Sequence, residues 1–149
     1  MTRLLLLNGP NLNRLGLREP RVYGHTTLEQ IEEKLTQLAK EHGVTLLSKQ
    51  SNHEGVLIDA IHEAAAQKWD GILFNPGAYS HTSIGLRDAI ASIEVPVIEI
   101  HISNIHARES FRHHSHISAV SIGQIVGLGV YGYELALSAM INHIKGEQL

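Results

Sequence analysis

The sequence has 149 residues, of which 43% are hydrophobic, with 12 Lys and Arg against 15 Asp and Glu. A net charge of −3 excludes the basic footprint of a nucleic-acid binder, and the absence of cysteine excludes disulfides, thiolate nucleophiles and zinc–thiolate sites. The length predicts one domain, residues 1–149, able to bury roughly 70% of its unfolded surface.

Arg3–Leu7 is a short apolar run that ends in Asn8-Gly9-Pro10-Asn11. That is the pattern of a buried strand followed by a turn. The run is too short for a leader or a membrane span, and no Asn-x-Ser/Thr acceptor occurs, so a cytoplasmic domain with no membrane partner is expected. From Asn11 to His25 neither period is present. This predicts a long loop of the kind that serves as a lid or binding segment. Thr26-x-x-Glu29 reads as a capping box, followed by Leu28, Ile31, Leu35, Leu38 and Ala39 at helical spacing and by Gly43 at the C-terminal cap. Val44–Leu47 predicts a second strand. Ser51-x-x-Glu54 opens a helix with Leu57, Ile61, Ala64 and Ala65 on one face. Gly71–Phe74 predicts a third strand, Ile84–Ile93 a helix, and Pro96–Ile100 a fourth strand whose proline stands where one is tolerated. Ser118–Ile122 predicts a fifth strand, and Gln124–Ile144 the last helix.

Strands that are almost wholly apolar and alternate with helices imply a parallel sheet covered on both faces. The predicted class is α/β: a flavodoxin-like, doubly wound, five-stranded parallel sheet in the order 2-1-3-4-5. Ligands of such sheets bind beyond the carboxyl ends of the strands, near the switch in strand order. Three of those ends are polar: Asn8 and Asn11 after strand one, Asn75 and His81 after strand three, and Glu99, His101, Ser103 and Asn104 at strand four. The order makes these strands neighbours, so one cleft is expected.

Glu99 and His101 stand two apart, on the same face of a strand. A carboxylate fixes the tautomer of a neighbouring histidine and suits it to general acid work; a buried structural pair is the other reading. Arg18-x-x-Arg21-x-Tyr23 puts two cations beside a phenol, which acts as a base only where positive charge favours the phenolate. An ordinary solvated basic loop has the same pattern. Ser80-His81-Thr82-Ser83 predicts a helix cap with a ligand contact and not a nucleophile. Gly127-x-Gly-x-x-Gly132 matches a dinucleotide fingerprint, but no acidic residue follows at the required distance, and close packing of the helix start explains it better. His113, His114 and His116 sit next to one another on an irregular stretch, with His101 and His106 nearby. Adjacent histidines there do not point at one centre, so no metal is expected.

These residues together resemble the type II 3-dehydroquinate dehydratases, or type II dehydroquinases, over essentially the whole chain. The resemblance is carried by segments 7–16, 18–24, Gln50-Ser-Asn52, Asn75-Pro-Gly-Ala-Tyr-Ser-His-Thr-Ser83, Leu86-Arg-Asp-Ala89, Glu99-x-His-Ile-Ser-Asn104, His106-Ala-Arg-Glu-x-Phe-Arg112 and Gly127-x-Gly-x-x-Gly-Tyr133. It implies a flavodoxin-like fold and the anti elimination of water from 3-dehydroquinate to 3-dehydroshikimate through an enolate, the third step of the shikimate pathway. No imine, metal or organic cofactor is implied. Tyr23 would be the base, with Arg18 favouring the tyrosinate and Asn11 holding a water against the enolate oxygen. His101 would be the general acid, oriented by Glu99. Ile102 and Ser103 would bind the substrate carboxylate, and Asn75, His81 and Arg112 its hydroxyls. Asp88 would reach the site from a neighbouring subunit of a homododecamer, a tetramer of trimers.

Two other readings are weighed against this one. The first is a flavodoxin-like module that binds an anionic ligand without catalysis. Pro10 counts against it, because a phosphate cradle needs successive free amides. The second is a metal hydrolase using the histidine cluster.

Overall fold

Four consecutive leucines build the centre of the molecule. In the computed structural model, which describes residues 1–146, Leu4–Leu7 lie in the first strand, and each is at most 3% exposed. The elements follow as β1 (Thr2–Asn8), α1 (Pro20–Tyr23), α2 (Leu28–Glu41), β2 (Val44–Gln50), α3 (Glu54–Ala66), β3 (Gly71–Asn75), α4 (Ile84–Ala91), β4 (Val97–His101), β5 (Gly123–Val126) and α5 (Tyr131–Ile144). The sheet order is β2-β1-β3-β4-β5, and every pairing is parallel. This is the predicted order.

Alternation along β1 divides the core in two. Leu4 and Leu6 face Ile31 and Leu35 of α2 and Leu137 and Met140 of α5. Leu5 and Leu7 face Leu57 and Ile61 of α3 and Leu86 and Ile90 of α4. Each fully buried leucine contributes roughly 1.5–3 kcal/mol, so a strand apolar on both faces is held from both sides. Among the described residues no helix is long and apolar enough to cross a membrane.

Three local expectations need correction. The capping box lies one residue later, with Thr27 Oγ1 accepting from Gln30 N and Gln30 Oε1 accepting from Thr27 N. The fifth strand is not Ser118–Ile122 but Gly123–Val126, paired with Ile98–His101. Residues Ser118–Val120 form a 3-10 turn. Serine explains this: Ser118 Oγ donates to the Ser115 carbonyl and Ser121 Oγ to the Ile117 carbonyl, local bonds that compete with a ladder. The last helix begins at Tyr131, because Gly127 (φ 85°) and Gly129 (φ 67°) take left-handed conformations ahead of it.

Residues 11–25 also carry more structure than a loop. A 3-10 turn, Leu12–Arg14, precedes α1, which starts on Pro20 at its first position. Leu12 and Leu15 are buried and anchor the segment, while Leu17 and Val22 are exposed.

Candidate active site

The carboxyl ends of β1, β3 and β4 open into a cleft of about 450 Å³, including its mouth. Two interlocked turns form its floor. A Cβ on Gly9 would stand 2.6 Å from the Pro76 carbonyl oxygen, and one on Gly77 3.2 Å from the Pro10 carbonyl oxygen. The Asn8-Gly9-Pro10 and Asn75-Pro76-Gly77 turns therefore need glycine to approach so closely. Gly9 N donates to the Asn75 carbonyl at 2.8 Å and ties the two together.

Asn75, 3% exposed, has a fixed orientation. Its Oδ1 accepts from Gly77 N, and its Nδ2 donates to the Tyr133 hydroxyl at 2.8 Å. That hydroxyl donates to Asn8 Oδ1 at 2.6 Å. Burial pushes the Tyr133 phenol well above its ordinary value, so it is a fixed neutral strut. One Nδ2 hydrogen of Asn75 remains for a ligand.

On β4, Glu99 is wholly buried behind His101, whose Nε2 donates to Glu99 Oε2 at 2.5 Å. This bond turns the opposite edge of the imidazole, with Nδ1, away from the carboxylate. The His81 ring stacks on His101 with centroids 6.1 Å apart. Burial first, and then the charges of His101 and Arg112, hold His81 below the ordinary histidine value, against the opposing pull of the His114 carbonyl and Glu99. His81 Nδ1 donates to that carbonyl at 2.8 Å, which leaves Nε2 as an acceptor in the neutral ring. Ser83 caps α4, its hydroxyl accepting from Leu86 N, as the motif predicted.

Tyr23 enters the cleft from the end of α1. Arg18 stacks on it, with its guanidinium carbon 4.8 Å from the ring centre. The phenolic oxygen is met by a different residue: Arg108 Nη1 donates to it at 2.7 Å. Arg108 Nη1 also reaches Ser103 Oγ at 3.3 Å, and Glu19 pairs with both Arg18 and Arg108. Arg112 lines the same wall, with its Nε on Glu109 Oε2 at 2.9 Å. That contact holds the Glu109 carboxyl below the usual range. Three guanidiniums around one small cleft favour an anionic ligand.

Nine of the eleven predicted site residues line this cleft: Asn11, Arg18, Tyr23, Asn75, His81, His101, Ile102, Ser103 and Arg112. Glu99 stands directly behind. Asp88 does not line the cleft of its own chain; it lies exposed on α4, paired with Arg87. Sequence reasoning missed Arg108, Tyr133 and Asn52. Asn52 Oδ1 accepts from Asn11 N at 2.9 Å, which steadies Asn11 in its left-handed conformation (φ 68°). Gln50 Nε2 donates to the same oxygen. The quoted segments 50–52 and 106–112 contain Asn52 and Arg108, and only the contacts give them a task.

The remaining motifs are structural. Gly127 N and Gly129 N donate to the carbonyls of His101 and Ile102, so the glycine turn braces the end of β4 and is not a phosphate cradle. The rings of His106 and His113 and of His114 and His116 meet in pairs. Among the described residues no group of three or more potential ligands could hold a metal ion.

Comparison with known proteins shows the family and agrees with the fold. A family model described as Dehydroquinase class II matches residues 2–141. The chain is 63% identical over 147 residues to the 3-dehydroquinate dehydratase of Anoxybacillus flavithermus, covering 99% of each chain. It is 59% identical over 134 residues to a catabolic 3-dehydroquinase of Penicillium rubens, covering 90% of this chain and 86% of the relative. The crystal structure of type II dehydroquinase from Butyrivibrio crossotus superposes with a TM-score of 0.92 at 45% identity, over 94% of this chain and 97% of that one.

Proposed function

The chain belongs to the class II dehydroquinase family and is a 3-dehydroquinate dehydratase, a hydro-lyase, and from that premise we propose how its residues divide the elimination. Tyr23, as its phenolate, takes the proton on the carbon beside the ketone. The electron pair moves onto the ketone oxygen and forms an enolate, against which Asn11 holds a water. The enolate then collapses, and the carbon–oxygen bond of the departing hydroxyl breaks. His101 gives that hydroxyl its proton, so that it leaves as water. The base and the acid act on opposite faces of the ring, which makes the elimination anti.

A proton beside a ketone is weakly acidic, so base and enolate stabilisation must come together. Negative charge on Tyr23 is met by Arg108 at its oxygen and by Arg18 over its ring. Glu99 orients His101 and stabilises its cation. Ile102 and Ser103 bind the substrate carboxylate at the end of β4, and Asn75, His81 and Arg112 bind its hydroxyls. The 11–25 segment closes over the ligand, excludes water and completes the site. Asp88 reaches a neighbouring subunit's cleft within trimers of a homododecamer. No metal and no organic cofactor takes part.

The observation that carries this reading is the convergence of Tyr23 and His101 on one arginine-rimmed cleft. Purified protein given 3-dehydroquinate should raise near-ultraviolet absorbance as the conjugated enone forms, with chelator and with borohydride alike. Tyr23→Phe and His101→Ala should each remove nearly all turnover while the assembly persists. Near-normal activity in either variant would take that residue out of its role.

A further inference from the structure

Glu99 is a carboxylate with no exposed surface, and among the described residues only two groups bond it. Both reach the same oxygen: His101 Nε2 at 2.5 Å and the Ser115 hydroxyl at 2.8 Å. Oε1 has no hydrogen-bond partner. A charge buried this deeply depends on each donor it has. Ser115 itself is held from behind. Its Oγ accepts from Ile117 N at 3.1 Å and from Ser118 N at 3.2 Å. A hydroxyl has one proton and two acceptor positions. With both acceptor positions taken by amides, the proton of Ser115 is committed to Glu99.

We propose that Ser115 is a positioning residue for the dehydration, its hydroxyl holding the Glu99 side chain aligned on His101. This rests on the reading of His101 as the general acid. The segment carrying Ser115 joins Arg112 to the turn before β5, so one stretch of chain supplies a wall of the cleft and the support of its acid. The other ionisable groups around the pair are His81, stacked on His101, and Arg112, whose charge bears on His81. His114 and His116 flank Ser115 in sequence, their rings meeting edge to face at 4.8 Å. None of these bonds Glu99.

The expected consequence has a definite sign. Without the serine proton Glu99 keeps only its bond to His101, and its alignment on the ring loosens. The test is the steady-state kcat and KM of the native enzyme, Ser115→Ala, Ser115→Cys and Ser115→Thr, with His101→Ala alongside. Ser115→Ala should lower kcat on the order of tenfold, the size of a lost hydrogen bond to a charged group. KM should stay within about twofold, because Ser115 does not touch substrate. Ser115→Thr keeps the hydroxyl and should restore kcat; Ser115→Cys, a weaker donor, should fall between.

A Ser115→Ala enzyme that melts earlier but keeps native kcat would reduce Ser115 to a turn former and overturn the proposal. Failure of Ser115→Thr to restore kcat would overturn it as well. If the alanine chain does not fold, Ser115→Cys decides: a native kcat refutes the proposal. Near-normal activity in His101→Ala would instead sink the underlying reading of the acid.

Discussion

Arg108 and Tyr23 are 85 positions apart in sequence, yet Arg108 donates to the phenolic oxygen of the proposed base. Arg108 shows 12% of its side-chain surface, and its Nη1 lies on the phenolic oxygen. Arg108→Met keeps the stem and removes the charge. It should lower kcat on the order of a hundredfold, as loss of a preorganised donor does, with a small change in KM. Steady-state kinetics check this; a raised KM with native kcat would make Arg108 a substrate ligand instead. His81 gives a pH-dependent expectation. Its folded-state value lies below the ordinary 6.5, so the unfolded chain takes up the proton first as pH falls. Its contribution to stability is therefore full above about pH 6.5, and it declines until the folded protein is protonated too. Urea unfolding between about pH 8 and about pH 5 should show the native protein losing ground against His81→Gln on the acid side. A constant difference would refute it. Asn11, Asn75, His81, His101 and Ser103 were legible in sequence because strand alternation and turn residues mark strand ends, whereas Ile102 and Arg112 were indicated only by the family resemblance. Arg108 and Tyr133 were not, because their tasks lie in long-range contacts that no periodicity encodes.

At the scale of elements, the site is the meeting of two strand-end turns. Gly9 and Gly77 let the backbones of Asn8–Asn11 and Asn75–Gly77 interlock. Gly9→Ala must force the Pro76 carbonyl aside. The expected cost is about 1–3 kcal/mol of unfolding free energy, the usual range for overpacking. The same shift separates Asn11 from Asn75, so kcat/KM should fall together with the urea midpoint. An alanine enzyme with native kcat/KM would show that the turns need not touch. The first four strands were readable because each is a short apolar run bounded by Gly, Pro, Asn or a charged segment. The fifth was not. Gly123-Gln-Ile-Val126 is short and half polar, whereas Ser118–Ile122 carries Val120 and Ile122 in alternation but is held by its own serine hydroxyls. The start of α5 was misread for a related reason: glycines at 127 and 129 extend the turn where apolar spacing had already begun.

At the scale of the molecule, one chain leaves its proposed site a residue short. Asp88 projects from the exposed side of α4, bonded to its neighbour Arg87 at 2.8 Å, and does not reach its own cleft. A ring of three subunits joined head to tail is a closed arrangement in which each chain can pass one residue to the next. Such sharing has a test that a single-chain site fails. Tyr23→Phe chains and Asp88→Ala chains should each be nearly inactive alone. Unfolded together and reassembled, they form clefts in which an intact Tyr23 meets an intact Asp88 from the adjacent chain. Equal random mixing should return about a quarter of native activity, since both neighbours must be of the right kind. If Asp88 served its own cleft, every chain would carry a defect in its own site, and mixing would return nothing. The recovered activity thus separates a shared cleft from a self-contained one.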